Sequence, residues 1–151
     1  MSSFSASRDA INAIDGSSHL TGWFGSWPSF EGAEVISMAF DRGSQLKSAG
    51  TQGYSGPPSL TAVFRVVDSA LTWDDQRSKP ARVCLKFGDI SELRMNGFGC
   101  QNLILALEVN VVYSEELNAL KLSVKWGGAA GKGHDVTFLC GTCSVLAVGA
   151  A

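Results

Sequence analysis

The feature that most constrains this chain is a two-residue alternation of apolar and polar side chains that recurs along most of its length. Leu120, Leu122, Val124 and Trp126 alternate with Lys121, Ser123 and Lys125, and Val83, Leu85 and Phe87 alternate with Arg82, Cys84 and Lys86. Successive side chains of an extended strand point to opposite faces, so this spelling describes strands with one dry and one wet side. Leu60, Ala62, Phe64 and Val66 against Thr61, Val63, Arg65 and Val67 predict another strand. Leu93 and Met95 against Arg94 and Asn96 predict a continuation of the Val83 to Phe87 strand through a turn at Gly88-Asp89. Leu103, Leu105, Leu107, Val109 and Val111 form the longest apolar comb, and Val136, Phe138 and Val145 to Val148 predict a last pair bent at Gly141-Thr142.

Earlier in the chain, Ser7 is placed to cap a short helix over Arg8 to Ile14, and Ser17 to Thr21 reads as polar linker with His19 in it. Glu34 to Phe40 is a strand apolar on both faces, which predicts a central position in its sheet. Gly50 to Pro58 reads as a Gly/Ser/Pro loop, Trp73 to Pro80 as a charged hairpin tip, and Gly127 to Gly133 as a flexible turn. Strands thus follow one another at hairpin spacing with no intervening long helices. The fold expected is mainly β: an antiparallel two-layer sheet or open barrel of seven to eight strands with a short N-terminal helix, α+β being the alternative. Residues 1–19 form the helix and linker, and 20–151 a single β-rich domain.

A chain of 151 residues with 45% hydrophobic content can bury a core without metals or disulfides. Its net charge of −2 speaks against nucleic acid as the main partner, since phosphate binding needs a basic excess. The charge is uneven: residues 1–75 carry a net −4 and residues 76–151 a net +2. An acidic first half steers a basic partner. The start, Met1 to Ser7, has neither the basic nor the apolar region of a secretory signal, and no window has the roughly 20 apolar residues of a membrane span. The expectation is a cytoplasmic protein whose Cys84, Cys100, Cys140 and Cys143 remain thiols.

Three motifs that look chemical give way on inspection. Gly127-Gly-Ala-Ala-Gly-Lys-Gly133 lacks the spacing and the hydroxyl of a phosphate loop, and no helix follows it. Cys140-Gly-Thr-Cys143 has the gap of a zinc knuckle, with His134 nearby, but no second such pair completes four ligands. The pairs Glu31 with Glu34 and Asp74 with Asp75 resemble acid/base carboxylates, yet two histidines in Gly/Ser-rich surroundings offer no convincing catalytic base. No catalytic residue, metal or cofactor is assigned. The chain is expected not to be an enzyme.

What remains is the aromatic, acidic stretch from Gly22 to Val35. Trp23, Phe24, Trp27 and Phe30 lie between glycines and are followed by Glu31 and Glu34 and, after the strand, by Asp41. Such aromatics either plug one end of a sheet or form an anchoring patch at a protein interface. Phe24-Gly-Ser-Trp-Pro-Ser-Phe-Glu-Gly-Ala-Glu-Val35, followed by Asp41-Arg42, resembles the signature of the immunity protein 50 family, approximately FG-x-WPSFHDAEV, a strand and DR. Leu60-Thr-Ala, Val83 to Phe87, Ile90 to Phe98 with Gln101-Asn102, and Asp135 to Cys140 support it, so the resemblance spans about residues 20 to 148. Glu31-Gly32 stands where the family commonly has His-Asp.

The resemblance implies an immunity protein of a bacterial polymorphic toxin system, a cytosolic inhibitor that binds its cognate toxin. The expected partner-binding residues are Trp23, Phe24, Trp27, Phe30, Glu31, Glu34 and Asp41, with Asp74 and Asp75 outlying. Were the toxin a nuclease, these carboxylates would imitate phosphates in its basic groove. The alternative is a β-barrel module holding a small ligand in an aromatic cavity near Trp23 and Trp27, and a third reading is a hydrolase using Glu31 or Glu34.

Overall fold

The computed structural model describes residues 7–43, 45–48, 51–54, 56–67, 80–99, 102–128 and 133–151. Within these residues two helices, α1 (Arg8–Ala13) and α2 (Ser17–Phe24), precede ten strands: β1 (Glu34–Asp41), β2 (Gln45–Ser48), β3 (Thr51–Tyr54), β4 (Ser59–Val66), β5 (Ala81–Gly88), β6 (Ser91–Asn96), β7 (Ala106–Ser114), β8 (Ala119–Gly127), β9 (Asp135–Cys140) and β10 (Thr142–Ala150). Eight of the strands make two antiparallel sheets, ordered β1-β4-β5-β10 and β6-β9-β8-β7, while β2 and β3 pair as a separate hairpin. The sheets are not closed into a barrel. The two-layer form of the expected mainly β fold is therefore the one adopted, for the reason the alternation gave: each sheet has one apolar face, and the two faces bury each other.

Burial follows the alternation closely in the central strands. Leu60, Ala62, Phe64 and Val66 of β4 and Ala81, Val83, Leu85 and Phe87 of β5 are buried, as are Leu122, Val124 and Trp126 of β8 and Val136, Phe138 and Cys140 of β9. A chain of aromatic contacts crosses between the layers. Phe64 meets Trp126 edge-on at 5.3 Å, Trp126 meets Phe138 at 5.6 Å and Phe138 meets Phe87 at 5.0 Å. On the other side Phe30 meets Phe64 at 5.5 Å, which joins the segment before β1 to the same core. Edge-to-face pairs of this kind add to the burial of the rings themselves.

Several details depart from the sequence expectation. Ser17 to Thr21 is not linker: it is the first part of α2, and the expected division at residue 19/20 falls inside that helix. Gly16, in the left-handed region at φ 74, begins α2 without a side-chain cap, and Leu20 and Phe24 bury one turn apart. A helix so weakly started is held by tertiary packing, and its packing is against β10. Strand β1 is an edge strand of its sheet: β4 is its neighbour there, and only its first residues also reach the segment before β7. Both its faces can be apolar because Ile36 sits in a β-bulge, where pairing skips from Val35 to Ser37.

The expected Gly50 to Pro58 loop contains β3. Gly88-Asp89 is a crossover, not a hairpin turn, since β5 and β6 lie in different sheets. The apolar comb breaks at Ile104, which is buried while Leu103 and Leu105 are exposed; the regular strand starts at Ala106. Residues 68–79, holding most of the charged tip with Asp74 and Asp75, lie outside the described residues, as does the middle of the Gly127 to Gly133 turn. Among the described residues no helix is long and apolar enough to cross a membrane.

Phe64 touches both Phe30 and Trp126 and is fully buried, so Phe64→Ala should cost about 3–5 kcal/mol of unfolding free energy. Urea denaturation followed by tryptophan fluorescence will measure it. Phe40→Ala, at a half-exposed edge position of β1, should cost far less.

Candidate protein-binding edge

The aromatic, acidic stretch folds as a clip. α2 ends at Gly25 in the left-handed region (φ 85), whose N–H donates to the Thr21 carbonyl. The chain then turns through Trp27 and Pro28, with the Glu31 N–H donating to the Ser29 hydroxyl at 3.2 Å. From Gly32 it pairs with the lead-in to β7: Gly32 N–H donates to Ile104 carbonyl, Ile104 N–H to Ala33 carbonyl and Val35 N–H to Asn102 carbonyl, at 2.8, 2.9 and 2.9 Å. Asn102, itself buried, fixes that lead-in by closing a loop on Gly99. Its Oδ1 accepts from the Gly99 N–H and its Nδ2 donates to the Gly99 carbonyl, each at 2.8 Å. An edge of one sheet is so joined to an edge of the other.

This geometry divides the expected partner-binding residues. Phe24 and Phe30 are buried in the core, and their rings anchor the clip from inside. Trp27 stacks obliquely on Phe30 at 6.1 Å, and Trp23 and Trp27 are each half-buried against the core. Their indole N–H groups are shielded and meet no acceptor among the described residues. Glu31 and Asp41 are exposed and Glu34 half-exposed. Asp41 closes the end of β1 by accepting the Gly43 N–H at 2.8 Å. Glu34 stands in register opposite Arg65 of β4, so the acidic edge is offset by a cation on its own sheet, which sequence spacing did not reveal.

The departure at Glu31-Gly32 has a backbone explanation. Gly32 is at φ 77, a conformation that glycine adopts freely and that Asp and Asn tolerate better than other residues. A side chain added there would meet nothing within 4 Å. Gly here and the Asp usual in the family signature therefore serve the same turn, while position 31 is a solvent position.

The groups with reactive chemistry are engaged elsewhere. His134 is buried, and its Nε2 accepts the Trp126 Nε1–H at 3.0 Å, so the neutral ring carries its proton on Nδ1. Burial pulls its pKa below 6.5, opposed more weakly by the Asn96 backbone and by Asp135. Cys140 and Cys143 point into the core; burial pushes the first up to about 12 and the second higher still, leaving both as unreactive thiols. Among the described residues no three His, Cys, Asp or Glu converge as metal ligands. A cavity of about 340 Å³ opens on the outer side of the second sheet, lined by Leu105, Glu108, Lys125, Trp126 and Asp135 among others. Trp23 and Trp27 do not line it, so it is not the aromatic cavity expected of a ligand-binding module.

Two measurements follow. Because the folded His134 has a lowered pKa, the unfolded chain takes up its proton first as pH falls; its contribution to stability is complete above about pH 6.5 and declines below. The urea midpoint should fall between pH 7.5 and 5.5, and His134→Gln, which retains an acceptor for Trp126, should show a smaller fall. Gly32→Asp should change stability by less than about 1 kcal/mol, whereas Gly32→Val should cost about 1–2 kcal/mol.

In comparison with known proteins, the family model described as Immunity protein 50 matches residues 16–148. No curated protein and no solved structure matches the chain.

Proposed function

Because the chain belongs to the immunity protein 50 family, we propose that it silences a cognate bacterial polymorphic toxin by binding and covering it, without chemistry of its own. The observation that carries this is the extent of the family match, from the start of α2 through most of β10. Further support comes from what the reactive groups already do. His134 is an acceptor for Trp126, and the thiols of Cys140 and Cys143 are held protonated, so none is poised as base or nucleophile. Protonated core thiols also suit a reducing cytoplasm, where we place the encounter.

The accessible part of the signature edge, Glu31 and Glu34 next to the turn that holds Trp27, is the first surface to test, with Asp41 at the opposite end of β1. A basic nuclease groove is the target that these carboxylates would suit. Co-expression with the product of the adjacent toxin gene should restore growth, and the purified pair should form a stable complex. Glu31→Gln with Glu34→Gln should slow association at low salt by roughly an order of magnitude; an unchanged rate removes the acidic edge from the interface. Failure of the wild-type protein to bind or silence that toxin rejects the function itself.

A further inference from the structure

The outer face of the first sheet carries a second pattern that the signature does not contain. In β1 the bulge sets Ile36 and Ser37 together opposite Val63 of β4; Val63 is in register with Cys84 of β5. In β10 a second bulge, between Val145 and Ala147, sets Leu146 and Ala147 opposite the same Cys84. Two edge irregularities thus fall at the two ends of one transverse row. Each adds an exposed aliphatic side chain to it, Ile36 at 39% and Leu146 at 54% exposure, with Val63 and Cys84 half-exposed between them.

The neighbouring rows on this face are cationic. On one side Arg65 and Arg82 face each other directly across β4 and β5, both exposed; on the other, Lys86 is exposed in register with Thr61. Like charges opposite one another across a strand pair destabilise a sheet. Arg65 to Arg82 is therefore a local sacrifice of stability, of the sort expected where a surface serves a partner. Among the described residues, Glu34 and Asp41 contribute carboxylates along the β1 border, Glu34 at the far end of the arginine row, and the exposed Asp15 bridges Ser144 at the β10 end of the Lys86 row.

We propose that this face is a docking surface for the toxin, and that the toxin meets it with an apolar patch bordered by carboxylates. The inference rests on the preceding function; it names a second surface, separate from the carboxylates of the signature edge, and the chemistry of the part of the toxin that would meet it. An aliphatic band with charged flanks has the arrangement of a dry interface centre and a polar rim, and the paired arginines on one flank select an acidic counterpart there. It also gives the bulges a purpose beyond bending the edges, since regular pairing would turn one residue of each pair to the core side.

The test compares charge reversals of equal size on the two outer faces. Arg82→Glu lies on the proposed face, and Lys125→Glu on the exposed face of β8 in the other sheet. With the adjacent-gene toxin as the probe, Arg82→Glu should weaken binding roughly tenfold or more. It should leave the melting temperature unchanged or raised, since it replaces a like-charge pair by an opposite one. Lys125→Glu should bind nearly as the wild type does, and Leu146→Ser should weaken binding while the fold is retained. Equal effects of Arg82→Glu and Lys125→Glu, or none from Arg82→Glu and Leu146→Ser, would overturn the proposal while leaving the toxin-binding function intact. A wild-type dimer in solution that Arg82→Glu dissociates would overturn it as well, by assigning the face to a second copy. Absence of any wild-type complex would reject the function and this inference with it.

Discussion

The short pairing of Gly32, Ala33 and Val35 with Asn102 and Ile104 is the contact on which the arrangement of the two layers depends. Without it the first sheet would end in an unsupported edge, and the lead-in to β7 would keep only the bond from the Leu105 N–H to the Gly127 carbonyl among those that hold it to the sheets. Buried backbone donors and acceptors must be matched, and here they are matched between sheets. Asn102 makes this possible by satisfying its own amide on Gly99 while its carbonyl serves Val35. Phe30, placed by the turn just before the pairing, then carries the connection into the aromatic core.

Much of the architecture was legible from the chain. Where a strand lies in the middle of a sheet, its alternation reports burial directly, as in β4, β5, β8 and β9. The edges were harder to read. In β1 and β10 a bulge shifts the side-chain parity, so a strand apolar on both faces suggested a central place when it lay outside. The comb from Leu103 to Val111 failed for a related reason: the chain bends at Ile104 to meet the clip, and the parity changes there. α2 was missed because Gly22, Thr21 and Trp23 are weak helix formers and its start has no side-chain cap; packing of Leu20 and Phe24 decides the matter.

The candidate site was read less well than the fold. The signature's aromatics were legible as important, but sequence could not say whether importance meant contact or support. The structure shows which side chains are accessible: Phe24 and Phe30 face inward while Glu31 faces water. Nor could spacing show that Arg65 comes to stand beside both Glu34 and Arg82, because those pairings join residues from three strands. Residues that define the family and residues that meet the partner need not coincide: the first set preserves a shape, and the second is free to follow the partner's chemistry.

Strand β10 completes the first sheet by pairing with β5, and a backbone exchange with Asp15 fastens it to the start of the chain. The ribosome must therefore deliver nearly everything through β10 before this layer can close. Contacts so distant along the polypeptide make for slow maturation, on the order of milliseconds to seconds. Under the proposed function, that interval would set a lag between translation and protection, and only copies folded before the poison arrived would cover a cell.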